Sequence, residues 1–131
     1  MANIDELILE NISSDGQVLS LKAKYIREIG AIELAEREDL KNLRALNLSQ
    51  NDIGDKGVLA IASSPIFDNL RTLNLQSNSI SDLGAGYLAS AKHLKKLRSL
   101  QLVVNYISDD GEKLLRNSVA LVCLTSLKFQ V

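Results

Sequence analysis

A pattern of apolar and polar residues that recurs every 27 positions constrains this chain more than any other feature. Its first clear copy is Leu43-x-x-Leu46-x-Leu48-x-x-Asn51-x-Ile53-x-Asp55-x-Gly57. The pattern returns at 70–84 and 97–111, and a degraded copy at 19–30 has Lys24 in the Asn position. Self-similarity at one fixed period is typical of arrays in which each repeat stacks on its neighbours.

Each repeat divides into a short strand and a helix. Alternate residues are apolar in Leu46-x-Leu48 and its copies, which predicts a strand with one buried face. The residues after Ile53 follow a helical pattern, and the helical positions align in two apolar columns. We expect these columns to form continuous seams between repeats: Leu34, Ile61, Leu88 and Leu115 in one, and Leu40, Phe67, Leu94 and Leu121 in the other.

Acids and glycines recur near the starts of the predicted helices. The acids are Glu28, Asp55, Asp82 and Asp109, and capping of free helix N–H groups explains this placement better than a cation site does. The glycines follow two residues later, where a helix would favour Ala by about 1 kcal/mol. A steric or dihedral requirement therefore outweighs helix propensity at Gly30, Gly57, Gly84 and Gly111.

These repeats resemble the leucine-rich repeat family, in the long-repeat form seen in ribonuclease inhibitor and Ran GTPase-activating proteins. The resemblance covers about residues 16–131 and implies an α/β solenoid, a right-handed βα superhelix with five parallel strands on the concave face and helices on the convex face. It also implies an internal ladder in which side-chain amides satisfy backbone groups of neighbouring coils, at Asn51, Asn78 and Asn105. The resemblance does not extend to ribonuclease inhibition or GTPase activation, which the family associates with larger, Cys-rich or acid-tailed proteins.

We expect one domain over residues 1–131, with repeats at 16–42, 43–69, 70–96 and 97–123. An amphipathic helix within 1–15 is predicted to cap the first repeat, and 124–131 is predicted to form a final strand. That strand presents Leu127, Phe129 and Val131, so a homodimer through residues 124–131 is one hypothesis and a tolerated exposed edge is the other.

Composition argues against several functional classes. A formal net charge of −1 and one basic cluster without interleaved aromatics disfavour nucleic-acid binding, and no apolar stretch is long enough to span a membrane. The single Cys123 and single His93 predict no metal cluster, no cofactor and no catalysis, and we expect Cys123 to be buried. A lone cysteine and the lack of a secretory signal indicate the cytoplasm, with signal-independent export left open.

The outward strand positions carry small, neutral and amide-rich side chains. An arginine column precedes them, at Arg44, Arg71 and Arg98. These arginines either bind an acidic partner or cover the strand edges with the aliphatic part of their side chains. We therefore predict a non-catalytic module that binds another protein through the concave strand face. The alternatives are a self-assembling scaffold and a secreted pathogen effector that binds a host protein. The predicted partner-binding residues are Arg44, Asn47, Arg71, Asn74, Gln76, Arg98, Gln101, Val103, Tyr25 and Tyr106.

Overall fold

Five short strands form one parallel sheet in chain order in the computed structural model, which describes residues 3–130. The strands are β1 (Val18–Ser20), β2 (Ala45–Asn47), β3 (Thr72–Asn74), β4 (Ser99–Gln101) and β5 (Ser126–Lys128). The helices are α1 (Ile4–Asn11), α2 (Arg27–Leu34), α3 (Gly54–Ser63), α4 (Asp82–Ala89) and α5 (Asp109–Arg116), and 3-10 turns occupy Glu38–Leu40 and Pro65–Phe67. Strands and helices alternate, which confirms the predicted α/β solenoid.

The sheet register follows the sequence period, because residues 27 positions apart pair across neighbouring strands, as Leu46 does with Leu73. The inward leucines of the three central strands are at most 1% exposed, and both helix-side columns are buried along their length. Burying one leucine side chain contributes about 1.5–3 kcal/mol. The core is therefore a stack of aliphatic layers rather than a cluster around one centre.

Helix α1 lies against the first repeat. The side chain of Asn3 caps it by accepting hydrogen bonds from the backbone N–H groups of Asp5 at 2.8 Å and Glu6 at 3.4 Å. Leu7 and Ile8 are buried in the common core, and the helix contacts both α2 and β1. This helix thus covers apolar surface that a preceding repeat would otherwise cover.

Buried asparagines join each repeat to the one before it. Asn78 is fully buried, and its Oδ1 accepts hydrogen bonds from the backbone N–H groups of Asn51 at 3.1 Å and Ile53 at 3.2 Å. Its Nδ2 donates to the carbonyl oxygens of Leu48 at 2.8 Å and Gln76 at 3.2 Å. The corresponding oxygen of Asn105 accepts from the next pair of N–H groups along the array.

The first coil uses the same ladder although it has Lys24 in place of an asparagine. The backbone N–H groups of Lys24 and Ile26 donate to Oδ1 of Asn51, at 2.9 and 3.2 Å. The Lys24 side chain is exposed to solvent. The coil's backbone is therefore held by the asparagine of its neighbour.

Two of the four acids at the helix starts, Asp55 and Asp82, bond to the start of the helix in the following repeat, whereas no such bond is found for Glu28 or Asp109 within residues 3–130. Asp55 Oδ1 accepts hydrogen bonds from the backbone N–H groups of Ser81 at 2.8 Å and Gly84 at 3.1 Å. Asp82 accepts from the backbone and the hydroxyl of Ser108 in the same way, and these bonds lower the pKa of its carboxyl group. The capping predicted from the acid column thus acts between repeats.

The same carboxylates help to explain two of the recurring glycines, Gly84 and Gly111. A Cβ added to Gly84 would lie 2.5 Å from Oδ1 of Asp55 and 2.6 Å from Cγ2 of Ile80. A Cβ on Gly111 would meet Asp82 and Ile107 in the same arrangement. At Gly30 and Gly57 a Cβ would meet Ile26 and Ile53 instead, with no acid among the nearest atoms. The steric requirement is therefore the approach of an isoleucine at all four glycines, with a capping acid added at Gly84 and Gly111.

Two glycines of α4 provide a matched test of that requirement. We expect Gly84→Ala to lower the free energy of unfolding by about 1–3 kcal/mol, because the methyl group displaces Asp55. Gly86→Ala should raise it by up to about 1 kcal/mol, because alanine favours helix and the nearest atom to its methyl group is Leu114 Cδ1 at 3.9 Å. Urea unfolding followed by circular dichroism measures both, and equal effects would contradict the interpretation.

The asparagine ladder predicts a larger effect. Asn78→Ala should cost about 3–5 kcal/mol, because it leaves several buried backbone groups without partners and each such group costs about 1–3 kcal/mol. Asn105→Ala should cost less, because Asn105 is only half-buried. Asn42→Ala is the control, since Asn42 is exposed and surface substitutions usually change stability by less than about 0.5 kcal/mol. Similar urea midpoints for all three variants would refute a structural role for the ladder.

Candidate functional site

The outward side chains of the five strands form one surface, here called the strand face. Alternation along each strand turns Leu46 inward and Ala45 and Asn47 outward, and the in-register sheet repeats this arrangement. The strand face therefore contains parallel rows that cross the strands. One central row is small, at Ala45, Thr72 and Ser99, and the next carries amides, at Asn47, Asn74 and Gln101.

The amide row has a fixed orientation. Asn47 Oδ1 accepts hydrogen bonds from the backbone N–H of Ser49 at 3.0 Å and from its hydroxyl at 2.7 Å. Asn74 and Gln101 accept equivalent backbone bonds, each at 3.0 Å, from the residue two positions later. A backbone N–H only donates, so each amide oxygen faces it and the NH2 group takes the other side of the amide. Within residues 3–130 no hydrogen bond uses these three side-chain nitrogens, so the row offers donors to a ligand.

The outward pattern ends sooner than the sequence suggests. Val103, predicted to lie on the partner-binding face, is only 5% exposed, and Ser49, at the corresponding position two repeats earlier, is 2% exposed. Strand β4 ends at Gln101, whose side-chain oxygen accepts a hydrogen bond from the backbone N–H of Val103, so strand alternation no longer decides which side Val103 faces. Val103 still lines a cavity of about 360 Å³ with Gln76, Gln101, Lys128 and Gln130.

The arginine column stands immediately before the strands. Arg44 and Arg98 are exposed and Arg71 is half-buried. Their backbones continue the sheet, since the carbonyl of Arg44 accepts from the N–H of Arg71 at 2.7 Å, and that of Arg71 from Arg98 at 2.8 Å. None of the ion pairs found in residues 3–130 includes these three guanidinium groups.

A second column runs beside the arginines, two positions earlier in each repeat. Its charge changes along the array from Asp15 through Asn42 and Asn69 to Lys96. The two columns line a cavity of about 250 Å³. Lys96 Nζ donates to Asn69 Oδ1 at 2.8 Å, so the positive residue of this column is in direct contact with its neutral neighbour. Hydrogen bonds from Ser13 and from the backbone of Gln17 lower the pKa of Asp15.

The tyrosines predicted as binding residues lie in the loops after the strands, and the structure does not bring them together. Tyr25 and Tyr106 are 72% and 76% exposed, and the corresponding positions of the two intervening repeats are Asp52 and Ser79. These loops also contain residues with left-handed backbone, including Val104 at φ 59°, an unusual conformation for a β-branched residue.

The expectation that Cys123 is buried is wrong, because the residue is exposed. Its flanking apolar residues suggested burial, whereas its place in the repeat predicts the opposite. Cys123 follows Lys96 by one period and so continues the exposed column that begins at Asp15. Alignment by the period is thus a better guide to burial here than the immediate neighbours.

His93, the single histidine, lies in the turn after α4. His93 Nδ1 lies 2.8 Å from Asp68 Oδ1 at a partly exposed position. Between residues 3 and 130 no group of three or more His, Cys, Asp or Glu residues is arranged to hold a metal ion. In the same range, no helix is both long and apolar enough to cross a bilayer.

A separate apolar surface lies at the last repeat. A cavity of about 690 Å³ opens there, with Leu121, Leu124 and Leu127 in its lining. Val119 and Val122 beside it are 89% and 71% exposed. Arg116 lies over the ring of Phe129, 5.5 Å from the centroid, while Val131 of the predicted dimer segment lies outside the described residues.

Comparison with known proteins identifies the repeats. Residues 39–62 and 69–89 match the family model described as Leucine Rich repeat. These stretches contain β2 with α3 and β3 with α4, two successive repeats of the array. No curated protein matches the chain. Leucine-rich repeats generally act as protein–protein interaction modules and are typically non-catalytic. Residues 39–62 and 69–89 thus carry leucine-rich repeats, and the five parallel strands that alternate with helices fold as an α/β leucine-rich-repeat solenoid.

Proposed function

We propose that this protein is a non-catalytic module that binds a partner protein through the strand face, the concave side of the solenoid. The observation that carries the proposal is the in-register row of Ala45, Thr72 and Ser99, with hydrogen-bond donors on both sides. Small side chains let a partner's backbone or side chains approach the sheet closely. The flanking arginines and amides then supply directed polar contacts.

The repeat type and the cellular setting belong to the same proposal. The 27-residue period, with a helix of 8–10 residues in each of the four repeats, supports the long, ribonuclease-inhibitor-like form of the repeat. The single exposed thiol of Cys123 supports a reducing compartment such as the cytoplasm. A secreted effector that binds a host protein through the same face is the alternative setting.

Bulky substitutions on opposite sides of the molecule test the binding face. Thr72→Tyr and Ser99→Tyr together fill the small row, whereas Ser63→Tyr and Ser90→Tyr add the same bulk on the helix side. Immobilised protein is used to capture partners from a lysate of the source organism, with quantification by mass spectrometry. We expect the strand-face double variant to enrich specific partners at least about tenfold less than the wild type, equivalent to about 1.4 kcal/mol of binding free energy. Loss only with the helix-side pair would contradict the proposal.

Self-association is a second candidate function, favoured by the exposed Val119 and Val122 beside the cavity at the last repeat. It uses a different surface, so both functions can coexist in one chain.

If copies associate there, sedimentation equilibrium at micromolar concentration should show a dimer. The double variant Val119→Lys and Val122→Lys should then be monomeric, because charged side chains resist burial at the interface. The Thr72→Tyr and Ser99→Tyr variant should still dimerise and is the control. A wild-type monomer at every concentration would rule the dimer out.

A further inference from the structure

We infer that the strand face binds an acidic α-helix of the partner protein, laid across the strands between the arginine column and the amide row. The inference rests on the proposed function and specifies the partner of the same site. Two features of the structure support it: both borders of the strip carry hydrogen-bond donors, and the spacing of the rows fits a helix.

The donor character follows from the hydrogen bonds already made. The oxygens of Asn47, Asn74 and Gln101 are each occupied by a backbone N–H, which leaves their NH2 groups for a ligand. On the other side of the small row, one residue before β2, β3 and β4, come three arginines whose guanidinium groups have donors and no acceptors. A ligand rich in carboxylates satisfies both borders, whereas one rich in amines satisfies neither.

The ion-pair pattern adds charge complementarity. Asp15 is the acid beside Arg44. In the later repeats the same column carries no acid: Asn42 and Asn69 are neutral, and Lys96, two residues before Arg98, is positive. Positive charge therefore increases towards β4. A bound helix should place its most acidic end over that strand.

The row spacing distinguishes a helix from an extended segment. Neighbouring strands lie about 4.8 Å apart, so that is the step along each row. Carboxylates at i and i+4 of a helix are about 5–6 Å apart, whereas same-side residues of an extended chain are about 6.6 Å apart. Over three strands the helix departs from register by about 1–2 Å and the extended segment by about 4 Å.

The width of the strip fits as well. Arg44 directly precedes β2 and Asn47 ends it, so extended backbone separates them by about 10 Å. A helix with its side chains is about 10–12 Å across. The small row of Ala45, Thr72 and Ser99 lies between these borders and admits its backbone.

A synthetic helix tests the inference directly. The probe is a fluorescein-labelled, alanine-based peptide of about 20 residues with Glu at i, i+4 spacing, long enough to be substantially helical. Fluorescence anisotropy compares it with the same peptide carrying Gln for Glu, and with a version containing two prolines. We expect the acidic helix to bind at least about tenfold more tightly than both, with affinity falling as salt rises. Equal affinity for the Gln or proline peptide, or tighter binding of a single-stranded oligonucleotide, would overturn the inference.

The substitution Asn74→Asp removes a donor from the amide row but keeps the side-chain acceptor for the backbone N–H of Gln76. In Asn74→Asp a carboxylate oxygen still accepts from the backbone N–H of Gln76, but the NH2 group becomes a negatively charged oxygen. We expect at least tenfold weaker binding of the acidic helix. Asn117→Asp, the same change at an exposed position after α5, should leave binding unchanged. No effect of Asn74→Asp would contradict the role of the amide row.

Two double variants with the same change in net charge test the arginine column. Arg71→Gln with Arg98→Gln should weaken binding at least tenfold, whereas Lys56→Gln with Lys113→Gln changes net charge equally and should have little effect. Equal losses would show that net charge alone attracts the peptide, and would overturn a defined site.

The exposed Cys123 reports orientation, because it lies one period beyond Lys96 and is the only cysteine. A fluorophore on Cys123 should be quenched more strongly when a quencher sits on the more acidic end of an asymmetric peptide. Stronger quenching from the other end would contradict the predicted direction.

The two proposals fail separately. If Thr72→Tyr with Ser99→Tyr releases captured partners but Asn74→Asp does not weaken the acidic helix, the binding face stands and the acidic-helix inference is wrong. If those tyrosines release nothing, the binding face itself is wrong.

Discussion

The buried amide of Asn78 is the interaction on which the rest of the architecture depends. Strands of only three residues pair few backbone groups, so the turns that follow them bury N–H and C=O groups with no partner in the sheet. In each of the three repeats that have this asparagine, its oxygen satisfies two N–H groups of the previous coil and its nitrogen bonds to carbonyl oxygens. Because these bonds require a fixed position in every coil, they favour a constant repeat length. The constant length then aligns the leucine seams.

A second network performs the same task on the helix side. Asp55 accepts hydrogen bonds from the N–H groups of Ser81, which precedes α4, and of Gly84 within it, and Asp82 accepts from the N–H group of Ser108, which precedes α5. Each acid can approach only because the next repeat has a glycine at the contact, so the acid and the glycine form a functional pair across repeats. Neighbouring helices are thus joined by directed polar bonds as well as by apolar packing.

The sequence predicts the array well because its period is a global property, repeated often enough to overcome local ambiguity. It fails where a contact crosses repeats or where a strand ends. Val103 is buried because β4 stops at Gln101, and no periodic signal marks that end. The partner of Asp82 is equally hidden in the sequence, since Ser108 lies 26 residues away. Cys123 is the opposite case: the period predicts its exposure, but its apolar neighbours were given more weight.

The chemistry of the candidate site follows from the same need of backbone N–H groups for acceptors. Asn78, inside the coil, uses both its oxygen and its nitrogen on the backbone. Asn74, on the strand face, uses only its oxygen, because one turn N–H needs an acceptor and no carbonyl bonds to its nitrogen. Each of the three repeats that close their turn in this way leaves an NH2 group free on the strand face. Repetition of one backbone requirement therefore produces a row of hydrogen-bond donors, and the arginines that precede β2, β3 and β4 add positive charge beside it.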